Sequence, residues 1–364
     1  YVTEHSDASS GAFQNVLVLG CTGGYGLASR IVAGFGCRAA TLGVSFEKAP
    51  TQSKTASAGW YNKAFEARAA QQGLYAKTLD GDAFSDAMRE QVLKTIKADL
   101  GQVSLVVYSL ASPVRQHPKT DVLHRSSIKP LDEVLNIKTV HVEKGEVSNV
   151  ALEPATEQEI ADTVTVMGGE DWQYWIDALL AADLLAPKAK TVAYTYIGSE
   201  LTWPIYWEGT LGKAKADLDR ASGEIQQKLQ SIGGDARVAV LKAIVSQASA
   251  AIPVVPLYAA LLFKVMKEQG SHEECIEHID RLFVSQLQAG ASMRLDDSGR
   301  IRVDDLELAE LVQAEVKRRW PLVGTENLAQ LGDLAGFRAD FLKIFGFGID
   351  GVDYDADVDP QRII

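Results

Sequence analysis

Three features predict an α/β protein built on a doubly wound parallel sheet. Short β-branched runs alternate with amphipathic stretches over the first 130 residues, the first run is almost wholly apolar, and a glycine-rich turn follows it directly. Asn15–Gly20 (NVLVLG) lacks polar alternation, as expected of a strand buried on both faces. A helix is expected from about Tyr25 to Ala33, a second strand at Ala39–Val44 and a helix at Trp60–Gln72. A third strand at Ala76–Leu79, a helix at Ala83–Leu100 and a fourth strand at Ser104–Leu110 continue the alternation. Short connections and right-handed crossovers make these βαβ units one doubly wound sheet.

From about residue 111 to 156 the pattern breaks. Pro113, His117 and Pro118 predict a loop, and Val134–Val150 a small hairpin, both inserted on the sheet. Helices at Glu157–Val166 and Asp171–Leu185, a strand at Thr191–Ile197, a long helix from about Gly212 to Gln230 and a strand at Arg237–Leu241 resume the core. The rest reads as helical, at Leu257–Glu268, His272–Leu287, Leu306–Trp320 and Leu334–Phe345, with a short β-like pair at Met293–Val303. No linker stands out. Residues 1–364 are expected to form one elaborated domain, with a core at about 15–250, the insertion at about 111–156 and a helical addition at about 251–364.

Apolar residues make up 46% and charged residues 23%, the balance of an ordered soluble chain. No run reaches the ~18 uninterrupted apolar residues of a membrane span; the nearest, Ala248–Val265, carries two prolines and Lys264. A net charge of −12 opposes nonspecific binding to nucleic acid. Neither nucleic acid nor membrane is an expected partner. Cys21, Cys37 and Cys275 are too few for a zinc site or a disulfide framework, which suits a reducing compartment. His272 and His278 are six apart rather than four, and the aspartates from Asp350 to Asp359 lack an EF-hand's glycine and glutamate, so no metal is expected. Cys21, in the glycine-rich turn, is a candidate for thiol reagents. Arg115, Lys119, Arg125 and Lys129 form a locally basic segment, suited to an anionic partner or simply to water.

The turn Gly20-Cys21-Thr22-Gly23-Gly24-Tyr25-Gly26 has GxxxGxG spacing between a strand and a helix. Glycines there let the backbone turn tightly, approach a pyrophosphate and aim free N–H groups at it, which makes the fold Rossmann-type. Glu47, about 20 residues further on, can accept from a ribose 2′-hydroxyl and repel a 2′-phosphate, favouring NADH over NADPH, with Lys48 pulling the other way. Asp82 is placed either for the adenine amino group or as a helix N-cap. Such a site, as a reductase, needs an acid beside the nicotinamide and a cation near the ribose. Tyr206 and Lys215 are nine apart and would face opposite sides of one straight helix. They converge only if the helix starts between them, which Pro204, Gly209 and Gly212 permit. Lys213 and Lys215 point apart, so one of them faces the cofactor.

Tyr206-x8-Lys215, together with GCTGGYG, MGGEDW (Met167–Trp172), QASAAIPVVPLY (Gln247–Tyr258) and FGFGIDGVDYD (Phe345–Asp355), resembles the NADH-dependent trans-2-enoyl-CoA reductase and enoyl-[acyl-carrier-protein] reductase family. The resemblance runs from about residue 10 to about 355, and members of that family usually carry a few tens of residues ahead of the position of Tyr1. It implies NADH as cofactor, an enoyl-CoA or enoyl-acyl-carrier-protein substrate and a place in fatty acid metabolism. It implies Tyr206 as proton donor, Lys215 as cofactor ligand and Tyr196 as substrate contact. It assigns cofactor contacts to Gly20, Cys21, Thr22, Gly23, Gly24, Tyr25, Phe46, Glu47, Asp82, Ala83, Leu110, Ala111, Ile244, Val245 and Ser246. A monomer is expected, in bacterial cytoplasm or a eukaryotic organelle matrix. The residues alone leave two rivals open: a carbonyl reductase of short-chain dehydrogenase type, and a catalytically silent NADH-binding regulator.

Overall fold

The structure, a computed structural model, describes residues 1–7, 11–47, 50–52, 57–250 and 252–359. Strand β1 (Asn15–Leu19) lies between β2 (Ala40–Ser45) and β4 (Val103–Tyr108), and β3 (Ala76–Asp80) pairs with the far side of β2, all in parallel. Two antiparallel hairpins follow, β5 (Val114–Gln116) with β6 (Leu123–Arg125) and β7 (Leu135–His141) with β8 (Glu146–Leu152). The sheet then grows outward from β4 through β9 (Leu185–Thr195), β10 (Asp235–Val240) and β11 (Ile301–Arg302). The order β11-β10-β9-β4-β1-β2-β3 reverses direction at β1, and in such sheets the crevice for a ligand opens at the strands' carboxyl ends.

The two-residue period of β1 explains why it is apolar throughout. Leu17 and Leu19 enter one core with Trp172, Trp175 and Ile176 of the helix Glu170–Ala181 and Leu218 and Ile225 of the helix Thr210–Leu229. Val16 and Val18 enter the other, against Ala28 of the helix Gly24–Ile31 and Ile279 of the helix Cys275–Leu282. The apolar run after Gln247 becomes a helix, Val255–Glu268, whose buried residues form a third core with Val140, Val312, Val316 and Phe337. No helix among the described residues is long and apolar enough to cross a membrane.

Three expectations need correction. The expected loop after Pro113 contains the hairpin β5–β6, whose three-residue strands are too short to show a period. The helix expected from Ala83 begins at Asp86, because Ser85 is its cap and accepts from the Met88 N–H at 3.1 Å. The expected β-like pair is mostly an edge of the main sheet: Ile301–Arg302 pairs in parallel with β10, and Leu295 makes a single antiparallel bridge to Ile301.

The MGGEDW phrase does structural work beneath the site. A Cβ on Gly169 would lie 2.1 Å from the Ala221 Cβ, so glycine lets two helices touch. Asp171 is buried, pairs with Arg89 at 2.9 Å and accepts from the Tyr108 hydroxyl at 3.2 Å. Burial still pushes its carboxyl up to about 6.

Candidate active site

The carboxyl ends of the central strands open into one cavity of about 650 Å³. Its base is the glycine turn. Gly20 has φ +86°, and a Cβ there would lie 2.3 Å from the Ser109 carbonyl oxygen. A Cβ on Gly26 would lie 1.9 Å from the Gly20 carbonyl oxygen. Strand, turn and helix close on one another only with glycine at both positions. Gly23 and Gly24 differ: among the described residues no atom approaches a Cβ on Gly23 within 4 Å, and only Ile244 comes to 4.0 Å from one on Gly24. That open space lies at the amino end of the helix Gly24–Ile31, whose first turn has no acidic residue, and so suits a phosphate.

Of the sequence-predicted residues, Gly20, Thr22, Gly23, Gly24, Tyr25, Phe46, Asp82, Ala83, Leu110, Ala111, Tyr196, Tyr206, Lys215, Ile244 and Ser246 line this cavity. Cys21, Glu47 and Val245 are not among the described residues that do. The Cys21 sulfur turns inward, 3.6 Å from Asn62 Oδ1 and 3.8 Å from Arg30 Nη1, and burial pushes its thiol up to about 11. Buried and held protonated, it is poorly placed to meet thiol reagents. Val245 packs on the third core. Glu47 follows the end of β2, where its N–H donates to Asp80 Oδ1 at 2.8 Å. Lys48 and Ala251 lie outside the described residues. Asp82 accepts from the Phe84 N–H at 2.9 Å, leaving the helix cap to Ser85.

Tyr206 and Lys215 line the same cavity because a helix does start between them, at Thr210. Glycines again make the close approach possible. A Cβ on Gly209 would lie 2.6 Å from the Ile205 carbonyl oxygen, and one on Gly212 1.7 Å from that of Trp207. Lys213, two residues before Lys215, is exposed. Burial brings the Lys215 ammonium down to about 8, with Asp219 opposing the shift. Neither the Lys215 ammonium nor the Tyr206 hydroxyl has a hydrogen bond among the described residues, and burial pushes the Tyr206 phenol up. Tyr206 meets the Tyr196 ring edge-on, with centroids 5.1 Å apart.

Two site residues had no signal in the sequence. Glu307 is fully buried and accepts from the Tyr196 hydroxyl at 2.9 Å, the Tyr258 hydroxyl at 2.8 Å and the Ala243 N–H at 2.6 Å. Burial pushes its carboxyl up, and those donors oppose the shift. One carboxylate thus braces the tyrosine wall and the start of the Ala243–Ser246 segment. The other residue is Thr195, which lines the cavity and whose buried hydroxyl has no hydrogen-bond partner among the described residues. An orphaned hydroxyl and an open glycine cradle in one cavity are what a nicotinamide dinucleotide would fill.

The basic segment is not an open anion site. Arg115 is only 1% exposed and is held by Glu170 at 2.9 Å and the Thr165 carbonyl at 2.7 Å. Lys119 pairs with Asp86 at 3.1 Å and Lys129 with Glu159 at 2.6 Å. Arg125 stays exposed.

Three family models match the chain: "NAD(P)H binding domain of trans-2-enoyl-CoA reductase" over residues 1–52, "Trans-2-enoyl-CoA reductase catalytic region" over 54–288 and "Enoyl reductase FAD binding domain" over 295–358. The last segment reaches the cavity only through Ile344 and Phe345 and otherwise gives Val312, Val316, Leu334 and Phe337 to the third core. Those residues do not fit a flavin site of the segment's own. An enoyl-[acyl-carrier-protein] reductase [NADH] of Tolumonas auensis is 57% identical, covering 99% of this chain and 91% of the relative. A crystal structure of Treponema denticola trans-2-enoyl-CoA reductase in complex with NAD has a TM-score of 0.93 at 47% identity, covering 100% of this chain and 90% of that one. One of the Clostridium acetobutulicum enzyme in complex with NADH has a TM-score of 0.95 at 44% identity, covering 99% and 91%. The chain belongs to the trans-2-enoyl-CoA reductase family.

Proposed function

We propose that this protein reduces the trans-2 double bond of enoyl thioesters with NADH. The observation that carries the reading is the meeting, in one cavity with an open glycine cradle, of a Tyr206 hydroxyl and a Lys215 ammonium that make no hydrogen bond among the described residues. When bound, NADH supplies a hydride to the β-carbon of the substrate. Tyr206 then donates a hydrogen bond to the thioester oxygen as negative charge gathers there, and the α-carbon takes a proton to complete the saturated product. Lys215 holds the ribose, and its charge favours proton loss from Tyr206. Tyr196, its proton committed to Glu307, offers the substrate a ring wall and an oxygen. Gly23 and Gly24 admit the pyrophosphate, with Asp82 and Ala83 towards the adenine and Glu47 disfavouring a 2′-phosphate.

The relatives are named for both coenzyme A and acyl-carrier-protein substrates, and either carrier suits this reading. A monomer in a cytoplasmic setting is the reading we carry, the setting supported by the bacterial relatives. The test is NADH absorbance with purified protein and crotonyl-CoA in one cuvette, simple ketones in another. NADH loss only with crotonyl-CoA is expected. Loss with ketones favours a carbonyl reductase, and loss with neither favours a silent NADH-binding protein.

A further inference from the structure

Asp219 stands four residues after Lys215 on the helix Thr210–Leu229, the spacing at which an acid and a base meet on one helix face. Yet the two make no ion pair. Both oxygens of Asp219 are taken by Arg300, Nε to Oδ1 at 2.9 Å and Nη2 to Oδ2 at 2.6 Å, the two-pronged geometry in which arginine holds a carboxylate best. Arg300 is itself fixed. It precedes β11, its N–H donates to Asp296 Oδ1 at 3.0 Å, and its guanidinium lies 5.1 Å from the ring centre of Trp207, the neighbour of Tyr206. One side chain therefore touches both the helix that carries Lys215 and the turn that carries Tyr206.

Resting on the role proposed for Lys215, we infer that Arg300 is a positioning residue: by holding Asp219 it keeps the charge of Lys215 available to the cofactor. Around Lys215 the same cavity is lined by Tyr206, Tyr25 and Tyr196, the last with its proton on Glu307. Behind Asp219 stand Arg300, Asp296 and Arg302, whose Nη1 is 3.5 Å from Asp296. Asp217, two residues from Lys215, lies on another face of the helix and is held by Arg220 at 2.7 Å and the Gly169 N–H at 2.8 Å. Asp219 is thus the carboxylate on the Lys215 face, and its attachment sets how strongly the ammonium is neutralised. Freed from Arg300, Asp219 would turn to Lys215, and the ammonium would hold its proton to higher pH.

The experiment is NADH affinity by fluorescence titration from about pH 6 to about pH 10. The proteins compared are the unmodified chain, Lys215→Ala, Arg300→Met, Asp219→Asn and the double variant Arg300→Met/Asp219→Asn. In the unmodified protein affinity should fall as the pH rises through about 8, and Lys215→Ala should lose that step. Arg300→Met should move the step up by about one pH unit, and Asp219→Asn should move it down. The double variant should return it close to its original place, which a general loss of folding would not do. A step that survives in Lys215→Ala overturns the role of Lys215. A step lost there but unmoved, or lowered, by Arg300→Met overturns the role of Arg300 alone.

Discussion

The cations around β5 and the cation at the start of the helix Thr210–Leu229 differ in what answers them. Arg115, Lys119 and Lys129 end on Glu170, Asp86 and Glu159, each within ordinary ion-pair distance. Lys215 has an acid one helical turn away and makes no pair with it, because that acid is held by Arg300. Three of the four basic residues of the 115–129 segment thus end on carboxylates, and Arg125 stays exposed. Lys215, near Tyr206, ends half-buried on the cavity wall with no ion pair among the described residues. Net local charge says little about where charge is available, and the partner of each group decides it.

The comparison breaks first at Tyr206, where the largest effect is expected. Tyr206→Phe removes a hydroxyl that has no partner among the described residues while the ring keeps its contact with Tyr196, so folding and NADH affinity should survive. kcat on crotonyl-CoA should fall ~10²-fold or more, as on deleting one oxyanion donor. Steady-state rates beside NADH titrations check it; a near-normal kcat contradicts the assigned role. Lys215→Ala should cost NADH affinity about tenfold together with kcat, the scale of a hydrogen bond to a charged group. Lys213→Ala, on the exposed side, should change neither. Equal losses in the two lysine variants would erase the contrast.

Smaller effects sharpen it. NADH should be preferred to NADPH, and Glu47→Ala should narrow the ratio of the two kcat/KM values severalfold; equal use of both by the unmodified protein removes Glu47 from the account. The smallest effect belongs to the basic hairpin. Lys119 already pairs with Asp86 on the surface, where such a pair is worth about 0–1 kcal/mol. Lys119→Ala should therefore leave KM for crotonyl-CoA within about twofold, with little added salt dependence. A large rise in KM at low salt would return the hairpin to the site.

What could be read in the sequence was chemistry carried by neighbouring residues. The turn from Gly20 to Gly26 was legible because tight turns and close backbone approach select glycine whatever the distant surroundings. The convergence of Tyr206 and Lys215 was legible because Pro204, Gly209 and Gly212 mark a helix start, and the helix does begin at Thr210. Glu307 was not. It lies 111 residues from Tyr196, and its three donors come from the residue after β9, the Ala243 segment and a core helix, so only the folded chain gathers them. Arg300 and Asp219 are likewise 81 residues apart. The basic segment left an anionic partner and water both open, because its carboxylates come from helices elsewhere in the chain. Asp82 was ambiguous for a local reason: it and Ser85 can each cap a backbone N–H within three residues, and only geometry tells that Ser85 caps the helix.

The central claim is hydride delivery to the β-carbon with charge gathering on a thioester oxygen beside Tyr206. It is tested most directly by the fate of two labels. Crotonyl-CoA is reduced once with NADH deuterated at the transferred position in ordinary water, and once with ordinary NADH in deuterium oxide. The product is then read by mass spectrometry and NMR. The account predicts the cofactor's deuterium at the β-carbon and the solvent's at the α-carbon of butyryl-CoA. Cofactor label at the α-carbon, or on a carbinol carbon from reduction of the carbonyl, would contradict it.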